Sequence, residues 1–94
     1  MKIKRIDVTT SIGNEIIVSL DKYKKDNGQY TESLSELLPS YLSEIHDPLW
    51  GDKEWSYETP SNDEFLLVVF KNKGGYLGYK KSSGWWRYLD ISEF

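Results

Sequence analysis

The chain has 94 residues, a formal net charge of −3 and no cysteine, and 15% of its residues are aromatic. A chain of this length has room for one hydrophobic core, so we expect a single domain over residues 1–94. Without cysteine it can form neither a disulfide nor a thiolate zinc site. The single histidine, His46, argues against histidine-dependent catalysis, and the pI of about 5.1 argues against a duplex nucleic-acid binder.

Charge is unevenly distributed along the chain. Residues 1–28 carry a net charge of +2, residues 29–70 carry −8 and residues 71–94 carry +3. Such blocks can steer a charged partner or attract one another within the fold, although solvated faces are the simpler interpretation. The longest apolar run, residues 65–70, has the length of a strand and is far shorter than the ~20 residues of a membrane-spanning helix.

The first predicted element is a long amphipathic helix that ends at Asn27-Gly28, because glycine readily adopts the left-handed conformation at which helices stop. Gly13 lies on its apolar face and indicates a close approach by another backbone. The apolar stripe consists of Ile12, Ile16, Ile17, Leu20 and Tyr23. The candidate N-caps are Thr9, Thr10 and Ser11.

A short second helix is predicted from Ser33, since Ser33 and Glu36 have the spacing of a capping box, and Pro39 stops it. Its apolar face comprises Leu34, Leu37 and Leu38. Tyr41, Leu42 and Ile45 are then expected to cover one end of the core in an irregular loop.

The pattern becomes that of β-structure from residue 54 onward. Residues 55–57 alternate, residues 64–71 are apolar on both faces and therefore predicted to be central, and two further strands are predicted at 76–80 and 85–89. Turn residues cluster at 60–63, 72–75 and 82–84. The predicted fold class is therefore α+β, with a long N-terminal helix packed on a small three- to four-stranded antiparallel sheet.

Three runs follow one another between residues 13 and 58. Residues 13–30 (GNEIIVSLDKYKKDNGQY) join a helix to a loop, residues 33–39 carry leucines, and Asp47-Pro48-Leu49-Trp50-Gly51 precedes an aromatic strand at 55–57. In their order and spacing these runs resemble the major pseudopilins of type II secretion, which are relatives of the type IV pilins. The family motif Asp-Pro-Trp-Gly here contains one inserted residue.

The resemblance implies a pilin-like domain in the periplasm or cell envelope that acts through protein–protein contact or self-assembly and is not an enzyme. It also implies an upstream membrane helix continuous with residues 1–27, through which alone the protein would meet a membrane. Where the family's major subunits bind calcium in an Asp- and Gly-rich loop, residues 71–94 hold Lys80, Lys81 and Arg87, which would repel a cation. We therefore predict no metal and no other cofactor.

The C-terminal block interleaves basic and aromatic residues, a composition that is enriched at protein-binding hot spots. The candidate partner surface consists of Tyr79, Lys81, Trp85 and Arg87. Because successive side chains of a strand alternate between faces, only one of Trp85 and Trp86 can point outward, and packing within the fold remains the simpler role for both. Single-stranded nucleic acid or a sugar would also suit such a block, but we predict no nucleic-acid partner.

One alternative function stays open, and two candidate sites are set aside. The alternative function is a complete small cytosolic binding or inhibitor protein of the immunity type, which uses the acidic segment 29–64 against a basic target. His46 next to Asp47 lacks a nucleophile motif. The loop acids Asp47, Asp52 and Glu54 lack the spacing of a calcium loop, so solvated carboxylates are expected there.

Overall fold

The computed structural model describes residues 5–71 and 74–90 and contains one long helix, one short 3-10 helix and four strands. The strands follow one another in the sheet in the order β1-β2-β3-β4, and every neighbouring pair is antiparallel. The elements are α1 (Arg5–Asn27), the 3-10 helix (Leu34–Leu37), β1 (Ser56–Ser61), β2 (Glu64–Lys71), β3 (Gly75–Lys80) and β4 (Trp85–Asp90). The predicted α+β arrangement is confirmed, with four strands. The predicted turn residues Asn72 and Lys73 lie outside the described residues.

Helix α1 packs the predicted apolar stripe against the core, with Ile12 and Tyr23 half-buried at its ends. Ile16, Ile17 and Leu20 are buried against the sheet, and the helix ends before Gly28, whose φ of +82° favours glycine. The predicted N-caps are wrong, because the hydroxyls of Thr9, Thr10 and Ser11 donate to the carbonyls of Arg5, Ile6 and Asp7 inside the helix.

Gly13 marks a close approach, but of side chains and not of the backbone that the sequence led us to expect. A Cβ atom at Gly13 would lie 2.5 Å from two ring carbons of Trp86 and 3.1 Å from Trp55. The Trp86 indole is held in place because its Nε1 donates to Asn14 Oδ1 at 2.9 Å. The absent side chain at Gly13 therefore lets the β4 tryptophan lie against the helix.

The second helix is shorter than predicted and has no capping box. It is a four-residue 3-10 turn whose preceding residue, Ser33, makes no side-chain cap. Glu36 accepts a hydrogen bond from the hydroxyl of buried Thr31, so its carboxylate is engaged by the preceding loop. Leu37 is fully buried, whereas Leu38, which precedes a cis bond to Pro39, has 38% of its surface exposed.

The long connection between the 3-10 helix and β1 is tied to α1 by helix hydroxyls. Buried Thr9 accepts a hydrogen bond from the backbone N–H of Leu49 at 3.0 Å, and buried Ser19 donates to the carbonyl of Tyr41 at 3.0 Å. Since buried backbone groups need partners, these bonds position the loop across the helix. As predicted, Tyr41, Leu42 and Ile45 pack against the core.

The core lies between α1 and one face of the sheet. Phe65, Leu67 and Val69 of β2 alternate along the strand and are fully buried, and the strand is central as predicted. The 60–63 turn prediction is partly wrong, because Pro60 and Ser61 belong to β1 and the turn is confined to Asn62 and Asp63. Proline is tolerated there because β1 is an edge strand.

Candidate functional site

The face of the sheet opposite α1 carries no covering element in the part of the chain that the structure describes. Strand alternation and the pairing register place every second side chain of β2, β3 and β4 on this face. We call it the outer face. It comprises Leu66, Val68, Phe70, Tyr76, Gly78, Lys80, Trp85, Arg87 and Leu89.

The outer face is apolar although it is exposed. Phe70 has 52% of its surface exposed, Trp85 57% and Leu89 43%, while Leu66 and Val68 beside them are half-buried. Large apolar side chains gathered in one patch are typical of interaction surfaces, whereas scattered ones are ordinary. The outer face therefore has the composition of a surface that contacts another macromolecule.

A groove of about 250 Å³ runs over Gly78 in the middle of the outer face. Its walls include Val68, Tyr76 and Trp85, and Lys80 and Arg87 lie at its rim. Gly78 leaves the space open, because a Cβ atom there would lie 3.1 Å from a methyl carbon of Val68 and occupy the floor. Glycine within a strand is typical of places where another group approaches closely.

The two charged residues of the outer face, Lys80 on β3 and Arg87 on β4, are both basic. The Arg87 guanidinium lies 4.8 Å from the centre of the Trp85 ring, a cation–π arrangement. Among the described residues, no carboxylate forms an ion pair with Arg87. Arg87 is thus held on an aromatic surface with its guanidinium exposed to solvent.

Glu64, at the start of β2, is tied to the β3–β4 turn. Its Oε1 accepts hydrogen bonds from the backbone N–H of Phe65 at 3.0 Å and of Ser82 at 3.1 Å. Hydrogen bonding from Ser82 lowers the pKa of the Glu64 carboxyl below its ordinary 4.5, and Phe65 N–H and nearby Lys80 act in the same direction. The charged form of Glu64 therefore stabilises this turn.

We expect the Glu64 contribution to stability to be complete above pH 4.5, the ordinary pKa, and to be lost as the pH falls through the lower pKa of the folded state. Glu64→Gln should flatten this part of the pH dependence of the free energy of unfolding, measured by urea denaturation between pH 3 and 7. Glu58→Gln is the control, because the Glu58 carboxylate is exposed and hydrogen-bonds to no described residue. Equal pH profiles for wild type and Glu64→Gln would contradict the assignment.

The structure divides the four predicted partner residues between the two faces of the sheet. Trp85 and Arg87 lie on the outer face, and Trp85 is the outward member of the tryptophan pair. Tyr79 points to the core side, where its ring packs 5.8 Å from Phe65 and 5.5 Å from Trp86 between ring centres. Two of the four predicted side chains therefore lie on the outer face, while Tyr79 is among the residues that line the groove although its ring packs on the core side.

Lys81, the fourth predicted residue, is engaged within the fold. Its Nζ lies 3.2 Å from the carboxylate of Asp21 on α1, and the same carboxylate accepts a hydrogen bond from the hydroxyl of buried Tyr30 at 3.1 Å. Burial and this contact raise the pKa of Tyr30 above its ordinary value. The trio joins α1, the following loop and the β3–β4 turn, which is a structural role.

The predicted partner set did not include Phe70, Gly78, Lys80 and Leu89, although Lys80 belongs to the C-terminal block of basic and aromatic residues. A signal for them was present, because residues 65–70 are apolar on both faces of β2. A fully apolar strand is usually covered on both sides, yet the sequence predicts only one long helix, which can cover a single face. The mismatch between two apolar faces and one covering helix identifies an exposed apolar surface.

The other sequence candidates do not converge on a reactive centre. His46 is exposed and lies 3.6 Å from Glu44, and its backbone carbonyl accepts a hydrogen bond from Trp55 Nε1. Across residues 5–71 and 74–90, no group of three or more His, Asp or Glu side chains is placed to hold a metal ion. No helix within those ranges is both long and apolar enough to cross a bilayer.

Comparison with known proteins gives no family match, and neither a curated protein nor a solved structure is significantly similar to this chain.

Proposed function

We propose that this chain is a non-catalytic, pilin-like domain of the cell envelope that acts through protein–protein contact or assembly. The observation that carries the proposal is the outer face, where Phe70, Trp85 and Leu89 are exposed and Trp85 lines a groove, while the opposite face is packed by α1. Apolar and aromatic surface left open on a small domain favours binding of a protein partner.

The part of the chain that resembles pseudopilins supports the pilin-like assignment through structural contacts. Within the 47–51 motif, Leu49 hydrogen-bonds to Thr9 of α1, and Trp50 packs edge-on against Tyr88 of β4 with 5.4 Å between ring centres. The motif thus joins helix and sheet, which is what a scaffold role requires. Such contacts support a role in holding a surface and supply no chemistry of their own.

The alternative is a cytosolic binding or inhibitor protein that uses its acidic middle segment. The observation in its favour is that the acids of residues 29–64 are exposed, with the exception of half-buried Glu64. Asp63 pairs with Lys24 at 3.0 Å, but most of these carboxylates point into solvent. Such a surface would steer a basic partner and bind it in a salt-sensitive manner.

Site-specific photo-crosslinking in the source cells tests the proposal. A photoreactive amino acid is placed at Phe70 or Trp85 on the outer face, at Glu54 in the acidic segment, or at Val18 on α1. Val18 is a matched control because it is 53% exposed, close to the values of Phe70 and Trp85. The adducts are separated into membrane and soluble fractions and identified by mass spectrometry.

We expect one discrete adduct shared by the Phe70 and Trp85 positions, found in the envelope fraction and absent from Val18. A soluble adduct formed from Glu54 alone, and lost in high salt, would replace the proposal with the cytosolic alternative. Equal labelling from all four positions would show that the outer face is not a specific contact surface.

A further inference from the structure

The groove over Gly78 lies beside two basic side chains. In the pairing of β3 with β4, Gly78 faces Arg87 and Lys80 faces Trp85. These four positions form the corners of a square, with Lys80 and Arg87 on one diagonal, roughly 7–8 Å apart. Because Gly78 has no side chain, its corner is open, with one cation across the strand pair and the other two residues along the same strand.

The volume of the groove suits one side chain of a partner. At about 250 Å³ it exceeds the roughly 150 Å³ that is enough to hold benzene, but it is smaller than the roughly 300–1,000 Å³ of small-molecule pockets. Trp85 and Tyr76 line it, and aromatic rings in contact gain stabilisation beyond their buried area. The groove therefore fits one aromatic side chain.

The two cations are available to a carboxylate of that partner. Lys80 and Arg87 are exposed, and neither forms an ion pair with a described residue. Lys80 contributes to the lowered pKa of Glu64, but the Glu64 carboxylate is already held by two backbone N–H groups. Glu58 lies on the same side of the sheet, two strands from Lys80 and therefore roughly 10 Å away.

We propose that the groove binds an aromatic side chain of a partner protein and that an acidic residue next to this side chain pairs with Lys80 and Arg87. A second copy of the chain fits less well, because two outer faces packed together would bring these cations against each other. An anionic membrane matches the charge, but a bilayer takes up protruding side chains and does not fill a recess over Gly78. This inference rests on the proposed function and specifies the chemistry of the partner.

The probe is the blocked pentapeptide Gly-Glu-Phe-Glu-Gly, titrated into the intact chain. Binding is followed by NMR, with the Gly78 amide and the Trp85 indole as reporters. Two control peptides are used: Gly-Glu-Ala-Glu-Gly lacks the ring, and Gly-Lys-Phe-Lys-Gly reverses the charge. Vesicles of phosphatidylserine and phosphatidylcholine in equal parts test the membrane as the occupant.

We expect saturable shifts confined to the outer face. The alanine peptide should bind at least about tenfold more weakly, because burial of the phenyl ring is lost. One exposed ion pair changes affinity by up to about fivefold, so Lys80→Gln and Arg87→Gln should each weaken binding of the Glu peptide by about two- to fivefold. Lys53→Gln removes the same charge from an exposed position in the loop before β1 and should leave the affinity unchanged.

Gly78→Ala tests the groove itself. The new Cβ atom would lie 3.1 Å from a methyl carbon of Val68, and the backbone of Gly78 is not among those with positive φ, so alanine fills the floor without backbone strain. This variant should weaken peptide binding by at least about fourfold, the equivalent of one buried carbon, with an unchanged far-UV circular dichroism spectrum. It should also reduce crosslinking from Phe70 in cells. If the variant does not fold, the two glutamine variants still test the proposal.

Three outcomes would overturn the inference: no saturation at several millimolar Gly-Glu-Phe-Glu-Gly, equal binding of the Glu and Lys peptides, or equal binding of the Phe and Ala peptides. Outer-face shifts with vesicles but not with peptide, or self-association that is lost in Gly78→Ala, would also overturn it by identifying another occupant. If crosslinking of a protein from Phe70 and Trp85 persists in these cases, the proposed function stands and only this inference fails. If the peptide binds as expected but no protein adduct forms in cells, the inference stands and the proposed function fails.

Discussion

Replacing Phe65 by alanine is expected to lower the free energy of unfolding by about 3–5 kcal/mol. Phe65 is fully buried at the centre of the core, and its ring lies 4.8 Å from that of Tyr30, 6.2 Å from that of Tyr57 and 5.8 Å from that of Tyr79. Removing it leaves a cavity that these rigid rings cannot close. Since a domain of this size is stable by roughly 5–14 kcal/mol, the loss is a large fraction of the total.

Phe70→Ala is the matched control, because it makes the same change on the same strand but on the outer face. With 52% of Phe70 exposed, its removal should cost less than about 1 kcal/mol. Urea denaturation followed by far-UV circular dichroism gives both values. Equal costs for the two variants would contradict the assignment of the core to the face of β2 that carries Phe65. Phe70→Ala should instead weaken crosslinking from the Trp85 position on the same face.

The second large effect is expected at Gly13, where alanine should destabilise the protein although it is the better helix former. Alanine in place of glycine gains about 1 kcal/mol of helix propensity. The new methyl group would, however, stand 2.5 Å from the Trp86 ring, and that ring is fixed by Asn14 and by packing 6.2 Å from Trp55 between centres. Overpacking typically costs about 1–3 kcal/mol, so after the gain in propensity we expect a net loss of up to about 2 kcal/mol.

A double variant separates the clash from any effect of alanine on the helix itself. Phenylalanine lacks the two ring carbons of Trp86 that approach Gly13, so Gly13→Ala in a Trp86→Phe background should be neutral or stabilising by up to about 1 kcal/mol. The measurement is a double-mutant cycle of unfolding free energies. Additive effects of the two substitutions would contradict the contact between helix and β4. Ser11→Ala, at an exposed helical position, should change stability by less than about 0.5 kcal/mol.

The stability and the binding proposals draw on opposite faces of the same strands. Side chains that alternate along β2 serve the core at Phe65, Leu67 and Val69, while their neighbours form the outer face. Substitutions at outer-face positions can therefore change partner binding without unfolding the chain, whereas those at core positions cannot. This separation lets the crosslinking experiment report on recognition alone.

Local pattern alone was sufficient to predict the elements of the fold. The spacing of Ile12, Ile16, Ile17 and Leu20 defined the face of α1, Gly28 its end, and the run 64–71 the central strand, because periodicity and turn chemistry act over a few residues. The predicted capping box was wrong because a match in spacing does not say which neighbouring group a side chain will contact. Ser33 and Glu36 have the required spacing, but the hydroxyl of Thr31, brought close by the loop, takes the Glu36 carboxylate.

The candidate site depended on information that the sequence does not carry locally. Tyr79, Lys81, Trp85 and Arg87 are neighbours in composition, but strand register and the position of α1 send Tyr79 to the core side and Lys81 to Asp21. The same tertiary arrangement brings Phe70, Gly78 and Leu89 together with Trp85 and Arg87. The sequence by itself determined the helix, the strands and the α+β class, since these follow from short-range periodicity. Only the tertiary structure decided which apolar face α1 covers and which stays open, because that choice depends on packing between residues far apart in the chain.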